Sequence, residues 1–180
     1  MDKKLNKRIL EISHKNKCSH LGSYFSAVDI IDNIFSKDAE MLFKKHGGHP
    51  HRDEENHIHC STGSLGLGIT VAVGRALANP NKKVYVLLSD GECAEGSVWE
   101  SLRFIKEQNI ENIEVYVNAN GYAAYDSVDV DYLEKRLKSF LPSINVIRTK
   151  VNQFSFLNGL NAHYHIMSDE DYEEAIEELK

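Results

Sequence analysis

The chain has 180 residues, 42 % of them hydrophobic and 27 % charged, with a formal net charge of −6 at pH 7. These values predict one globular domain over residues 1–180, without room for a second domain of similar size. No Lys and Arg stripe interleaved with aromatic residues points to nucleic acid. No apolar run is as long as a membrane span and no secretory signal opens the chain. With three widely spaced cysteines, Cys18, Cys60 and Cys93, the sequence predicts reduced thiols and a cytoplasmic location.

Helical and strand-like patterns alternate along the chain. Apolar residues at helical spacing predict helices over 3–16, 26–35, 65–78, 97–108, 131–140 and 168–179. Short apolar runs predict strands over 84–88, 113–117 and 145–151, the first of them buried on both faces. Ser26 with Asp29, and Ser168 with Asp171, have the spacing of capping boxes at two helix starts. This alternation predicts an α/β fold with a doubly wound, mostly parallel sheet and helices on both faces.

Polar residues follow the first two predicted strands, where parallel sheets bind their ligands. Asp90 and Gly91 follow the first strand, and Asn120 follows the second, one β-α-β unit further on. Neighbouring strands end side by side, so a carboxylate and an amide oxygen can converge on a hard cation such as Mg²⁺. Gly91 and the helix that begins near Gly96 would let a phosphate approach the backbone. Two ordinary Asp-Gly and Asn-Gly turns are the alternative interpretation.

Four segments in order along the chain resemble motifs of the thiamine diphosphate-dependent transketolases. The diphosphate motif of that family is matched by VYVLLSDGECAEGSVWESLRFIKEQNIENIEVYVNANG, residues 84–121. The other matches are residues 18–35, residues 47–50 with 61–78, and residues 161–179. All of them belong to the N-terminal, diphosphate-binding domain, which is a separate polypeptide in some members. The chain therefore resembles the N-terminal subunit of a split transketolase, in a shortened form.

The resemblance implies a set of site residues. The side chains of Asp90 and Asn120 and the carbonyl of Tyr122 would bind Mg²⁺, or Ca²⁺ in its place. Implied contacts with thiamine diphosphate come from Gly63, Ser64, Leu65, Asp90, Gly91, Glu92, Asn120 and Tyr122. The implied catalytic residues are the histidines that surround the diphosphate and the substrate in the family, His20, His49 and His163. Glu95 corresponds to an acidic residue that links paired active sites across the subunit interface.

The resemblance also implies an activity and a partner. The family transfers a two-carbon ketol unit between sugar phosphates or related sugars, and the cofactor carries that chemistry. The glutamate that contacts the aminopyrimidine lies on a domain that this chain lacks. We therefore expect a partner, the C-terminal transketolase subunit with the pyrimidine-binding and C-terminal domains, in an α2β2 heterotetramer. The alternatives are a deoxyxylulose-phosphate-synthase-like condensation and a non-catalytic role in assembly or regulation.

Several positions depart from the family's motifs. Ser89 stands in place of the first glycine of the GDG motif, Leu21 in place of a proline, and Ala162 in place of a tryptophan. The connector over residues 36–46 is shorter than in the family. These departures predict either a more open site or altered substrate handling.

A histidine-rich stretch offers a different interpretation of the chain as a zinc-binding module. Its candidate ligands are His46, His49, His51, His57, His59 and Cys60. Their spacing repeats no compact tetrahedral motif, and the family resemblance gives a role to His49 alone.

Overall fold

Helices and strands of the computed structural model are described for residues 3–35, 49–56 and 58–180. Helices α1 to α7 span Lys3–Lys15, Leu21–Phe35, Leu67–Ala78, Gly96–Glu107, Val130–Phe140, Asn161–Tyr164 and Asp169–Glu178. Strands β1 to β3 span Val84–Ser89, Ile113–Ala119 and Asn145–Arg148, and 3₁₀ turns span Glu54–Asn56 and Gly91–Ala94. The chain divides into a first unit, Met1–Ser61 with Thr149–Lys180, and a second unit, Thr62–Arg148. The single domain over residues 1–180 stays a prediction.

The sheet lies in the second unit. Its strand order is β1-β2-β3, and both pairings are parallel. A helix lies between each strand and the next, α4 after β1 and α5 after β2, so that the strands form successive β-α-β units. The predicted α/β fold with a parallel sheet flanked by helices is confirmed.

The third strand is shorter than the sequence predicts. It ends at Arg148 rather than at residue 151. Arg148 pairs with Ala119, the last residue of β2, so the neighbouring strand offers no further backbone groups to bind. The apolar Val151 is buried instead within the first unit.

The core of the second unit forms on one face of the sheet. Val86 pairs with Val115 and Leu88 pairs with Val117, and all four side chains are buried among apolar residues of α3, α4 and α5. Burying a Val or Leu side chain stabilises a fold by about 1.5–3 kcal/mol. Tyr85, on the alternate face of β1, is 42 % exposed, so the prediction that β1 is buried on both faces is wrong. The phenol of tyrosine tolerates this position because its ring has an apolar body and a polar tip.

The first unit is built from helices α1, α2, α6 and α7. Helix α1 packs against α7, and α2 packs against α6. The predicted capping box at the start of α7 is confirmed: Ser168 Oγ accepts from the N–H of Asp171, and Asp171 accepts from the N–H of Ser168. None of the described helices is long and apolar enough to cross a membrane.

Helix α2 begins one turn earlier than the sequence predicts. It starts at Leu21 rather than after Ser26, and the Ser26 hydroxyl donates to the carbonyl of Ser23 inside the helix. Leu21, Tyr24 and Phe25 are buried, so tertiary packing extends the helix over the predicted cap. The predicted capping box of Ser26 and Asp29 is therefore wrong.

Candidate functional site

The carboxyl ends of β1 and β2 bring the predicted metal ligands of the second unit together. Asp90 follows β1 directly, and its N–H donates to the carbonyl of Asn118 at 3.1 Å. The Asp90 carboxylate accepts from the N–H of Gly121 at 2.6 Å and from the N–H of Gly91 at 3.0 Å. Because Gly121 lies beside Asn120, these bonds hold the Asp90 carboxylate next to the turn that carries the predicted amide ligand.

The turn after β2 is fixed by its own hydrogen bonds. The side-chain oxygen of Asn120 accepts from the N–H of Tyr122 at 3.0 Å. The N–H of Ala123 donates to the carbonyl of Asp126 and the N–H of Val128 donates to that of Gly121, both at 2.8 Å. The turn therefore presents Asn120 and the backbone at Tyr122 at the same edge of the sheet as Asp90.

The electrostatics of Asp90 fit a cation at this edge. Asp90 is 2 % exposed, and burial raises the pKa of its carboxyl to about 6, against the lowering effect of backbone N–H groups from Gly121 and Gly91. No Lys, Arg or His side chain of the described residues forms an ion pair with Asp90. A buried carboxylate is costly without a positive partner. One carboxylate, one amide oxygen and backbone carbonyls are the hard oxygen donors that Mg²⁺ prefers, so the residues present fit this ion.

Gly91 is tightly packed against the same turn. A Cβ atom at this position would lie 2.9 Å from the Cα of Ala123. The close approach of two backbone segments requires a glycine here, and it brings the N–H groups after β1 near the turn after β2.

Glu92, a predicted cofactor contact, forms hydrogen bonds within the second unit. Its carboxylate accepts from the N–H of Gly66 at 2.8 Å, and its own N–H donates to the hydroxyl of Ser89 at 3.0 Å. Burial raises the pKa of Glu92, while the hydrogen bond from Gly66 opposes that rise. Ser89, which stands in place of a family glycine, thus binds the backbone of the 3₁₀ turn.

The remaining predicted residues of the second unit lie at its surface. Gly63 has a left-handed φ of 102°, Ser64 is exposed, and the side chain of Leu65 is 50 % exposed. Glu95 is exposed and is the N-terminal cap residue of α4. Their roles as cofactor contacts and as an interface residue stay predictions.

The three predicted catalytic histidines form a cluster in the first unit, although they come from three distant parts of the chain. The ring centroid of His20 lies 4.1 Å from that of His163 and 4.9 Å from that of His49. The N–H of His20 donates to the carbonyl of His163 at 2.8 Å, and Ser19 Oγ lies 2.7 Å from His20 Nδ1. His20 has a left-handed φ of 67°, a conformation that this turn before α2 imposes.

Burial favours neutral imidazoles at His20 and His163. Burial lowers the pKa of His20 to about 4, and the neighbouring charges of His163 and His49 add to that effect. Burial also lowers the pKa of His163, with a further contribution from His49. A neutral imidazole can accept a proton at one nitrogen and donate one at the other, which is what acid–base chemistry on hydroxyl groups requires.

The departure at Ala162 is explained by packing in the first unit. Ala162 is 1 % exposed, and a Cβ atom at Gly22 would lie 2.7 Å from the Cβ of Ala162. Helices α2 and α6 approach so closely here that only small side chains fit. A tryptophan, as in the family motif, does not fit this arrangement.

The zinc interpretation gains no support from the described residues. Across residues 3–35, 49–56 and 58–180, no group of three or more His, Cys, Asp or Glu side chains is arranged to hold a metal ion. His59 instead binds the carboxylate of Glu54 at 2.7 Å. His46 and His57 lie outside the described residues, as does the whole of the short connector over residues 36–46.

The sequence did not predict the contacts of two further residues near Asp90 in the second unit, Gly66 and Ser97. Gly66 has a left-handed φ of 78°, and its carbonyl accepts from the Ser97 hydroxyl at 3.2 Å. The glycines of the 63–68 segment were a signal for special backbone conformations. The bonds to Glu92 and Ser97 span 26 and 31 residues of the chain, and no local pattern predicts them.

A parallel α/β sheet with a carboxylate and an amide at its carboxyl edge defines a class of proteins that bind ligands at that edge. A scan against models of known protein families gives no match. The chain is 28 % identical over 187 residues to a 1-deoxy-D-xylulose-5-phosphate synthase of Fusobacterium nucleatum, covering 88 % of the chain and 31 % of that relative. It is 33 % identical over 102 residues to one subunit of the apulose-4-phosphate transketolase of Actinobacillus succinogenes, covering 52 % of the chain and 37 % of that relative.

Shorter similarities extend to animal proteins. Over 89 residues the chain is 35 % identical to a transketolase of Pongo abelii, covering 44 % of the chain and 14 % of the relative. The chain thus spans about a third of the length of the first two relatives, and less of this one. These relatives confirm the resemblance to the transketolase family that the motifs predict.

Proposed function

We propose that this chain is the diphosphate-binding part of a transketolase-like transferase. The observation that carries the proposal is the buried carboxylate of Asp90, held at the carboxyl end of β1 beside the Asn120 turn. The order of the motifs around it, and the similarity to the synthase and transketolase sequences, support the same reaction class.

In this proposal the second unit holds Mg²⁺ and thiamine diphosphate. Asp90, Asn120 and the carbonyl of Tyr122 hold the ion, and its charge compensates the buried carboxylate. Gly63, Ser64 and Leu65 supply backbone and apolar contacts, and Gly91 supplies close backbone approach. When bound, the cofactor supplies the carbanion stabilisation needed to transfer a two-carbon unit.

The histidine cluster of the first unit carries the proton transfers in this proposal. The rings of His49 and His163 each lie against the ring of His20, and the lowered pKa of His20 keeps its imidazole neutral. A neutral imidazole accepts a proton from a sugar hydroxyl and returns it in the reverse step. The Ser19 hydroxyl at Nδ1 of His20 fixes the ring orientation for that exchange.

We infer that activity needs a second chain. One of the relatives is named as a single subunit of its transketolase, which supports a two-component enzyme. The proposed partner is a C-terminal transketolase subunit with the pyrimidine-binding domain, in an α2β2 assembly located in the cytoplasm. Glu95, exposed at the start of α4, is the proposed contact between paired sites.

Reconstitution tests this function. The purified chain is mixed with its partner subunit, thiamine diphosphate and Mg²⁺, and two-carbon transfer from a ketose phosphate to an aldose phosphate is measured. Transfer that requires both chains supports the proposal. The absence of both cofactor binding and turnover with every ketose donor would contradict it. Partner binding without turnover would favour the non-catalytic role.

A deoxyxylulose-phosphate-synthase-like condensation is the second candidate. The similarity to a synthase of that name extends over 88 % of this chain, which is the specific observation in its favour. The same reconstituted sample is offered pyruvate with an aldose phosphate. Consumption of pyruvate with release of carbon dioxide would favour this reaction over ketol transfer.

A further inference from the structure

We propose that Glu92 is a positioning residue, which fixes the loop over residues 63–66 beside the segment that follows β1. In this proposal Glu92 does not contact the cofactor directly. This inference rests on the proposed function, because that loop carries the proposed cofactor contacts. It reassigns a residue that the sequence motif places among the cofactor ligands.

The peptide units on both sides of Gly66 are held by side chains from the segment after β1. Its N–H donates to the Glu92 carboxylate at 2.8 Å, and its carbonyl accepts from the Ser97 hydroxyl at 3.2 Å. Hydrogen bonds to an ionised acceptor are roughly twice as strong as neutral ones. Glu92 therefore makes the stronger of the two bonds that fix the loop.

Gly66 itself leaves the loop few alternative positions. Its φ of 78° is left-handed, and a Cβ atom there would overlap the Ser97 hydroxyl and lie 2.9 Å from the Cβ of Glu95. The residue is also the N-terminal cap of the 12-residue helix α3, and it has no side chain to cap that helix. The Glu92 carboxylate supplies negative charge at the positive end of the helix dipole instead.

The carboxylate of Glu92 therefore already has a hydrogen-bond donor within the protein. Glu92 is half-buried, and its backbone N–H is bound by Ser89 Oγ at 3.0 Å. Turning the carboxylate toward a diphosphate would break the bond to Gly66 and place two negative groups together. The geometry thus assigns Glu92 an indirect action, through the conformation of Gly63, Ser64 and Leu65.

Amide hydrogen exchange tests the positioning directly and needs no ligand. In the apo protein, the Gly66 N–H is expected to exchange about ten- to a hundredfold faster in Glu92→Ala than in wild type, because its acceptor is lost. Glu92→Gln keeps an amide oxygen as acceptor and retains most of the protection. Glu100→Ala removes the same charge from an exposed position of α4 and leaves the Gly66 exchange rate unchanged.

Calorimetric titration with Mg²⁺ and thiamine diphosphate gives the second readout. Glu92→Ala is expected to weaken binding by about tenfold, with Glu92→Gln close to wild type, since loss of one charged hydrogen bond shifts a conformation by about that factor. Ser97→Ala, which removes the weaker bond to Gly66, is expected to have a smaller effect in the same direction.

The outcomes separate the two proposals. Wild-type exchange at Gly66 in Glu92→Ala would overturn the positioning role, and weakened cofactor binding alongside it would restore Glu92 as a direct ligand. Faster exchange with unchanged cofactor affinity would also overturn the inference, because the loop would then not matter for binding. If wild type binds no cofactor, the proposed function fails, while the exchange experiment still reports on the loop.

Discussion

The carboxylate of Asp90 accepts a hydrogen bond of 2.6 Å from the backbone N–H of Gly121, across the ends of two neighbouring parallel strands. This bond brings a buried carboxylate from one β-α unit against the turn of the next. The register that pairs Ser89 with Asn118 places Asp90 beside the end of β2 at Ala119, two residues before Gly121. The site edge is therefore a product of sheet pairing, and substitutions that disturb the pairing should disturb the site.

Gly91→Ala is expected to destabilise the protein by about 1–3 kcal/mol, because its methyl group must displace the backbone at Ala123. The matched control is Gly96→Ala at the start of α4, where a Cβ atom meets nothing within 4 Å. That change should be neutral or stabilising by up to about 1 kcal/mol, since alanine restricts the unfolded chain. Urea unfolding measures both, and equal effects would contradict the packing described for Gly91.

Substitution by alanine at a second pair of glycines, both inside helices, should change the free energy of unfolding in opposite directions. Gly22→Ala in α2 places a methyl group 2.7 Å from the Cβ of Ala162 and is expected to cost about 1–3 kcal/mol. Gly74→Ala in α3 meets no atom within 4 Å and is expected to stabilise by about 0.5–1 kcal/mol. The comparison uses the free energy of unfolding. Stabilisation by Gly22→Ala would show that α2 and α6 are not packed closely there.

The imidazole of His20 should titrate far below an ordinary histidine. Its pKa is lowered to about 4, first by burial and then by the charges of His163 and His49. NMR titration of the ring signals should give a midpoint near that value. In His163→Asn the midpoint should rise part of the way toward the ordinary histidine pKa of about 6.5, because one neighbouring charge is removed while burial remains.

The lowered pKa of His20 also determines the direction in which the stability of the protein changes with pH. An unfolded histidine takes up a proton near about pH 6.5, whereas folded His20 resists protonation until about pH 4. Between these values the unfolded state binds more protons, so stability should fall as the pH falls through that window. His20→Asn, which tolerates the left-handed backbone, should show a shallower decrease in the thermal midpoint. An identical pH dependence in wild type and variant would contradict the role given to His20.

The sequence predicts the parts of this molecule that depend on local pattern. The periodicity of α4, the apolar runs of β1 and β2, and the Ser168–Asp171 cap all agree with the structure because each is decided within a few residues. The start of α2 is wrong in the prediction because buried Leu21 and Phe25 override the cap signal at Ser26.

The residues of the candidate site likewise include some that the sequence predicts and others whose contacts it does not predict. Asp90 and Asn120 could be placed at one edge from the rule for parallel sheets, and the motif order singled out three histidines that the structure brings together. The hydrogen bond from Gly66 to Glu92 joins residues that are 26 positions apart. This bond depends on the tertiary packing that brings the start of α3 to the 3₁₀ turn over Gly91–Ala94. Residue spacing along the sequence does not predict such packing.

Calorimetric titration of thiamine diphosphate with and without Mg²⁺, on wild type and Asp90→Asn, is the decisive test of the proposed metal and cofactor site. Asn keeps the shape of the side chain and removes the buried charge, but its NH2 group cannot accept the second of the two backbone N–H bonds that the carboxylate receives from Gly91 and Gly121. A thermal melt of the apo variant is therefore recorded first, to show that it folds. We expect Mg²⁺-dependent binding to wild type, abolished by chelation, and no Mg²⁺-dependent binding to Asp90→Asn, with Glu100→Ala as the unaffected control. Equal affinities for wild type and Asp90→Asn, or binding to wild type that ignores Mg²⁺, would contradict the assignment of Asp90 as a metal ligand.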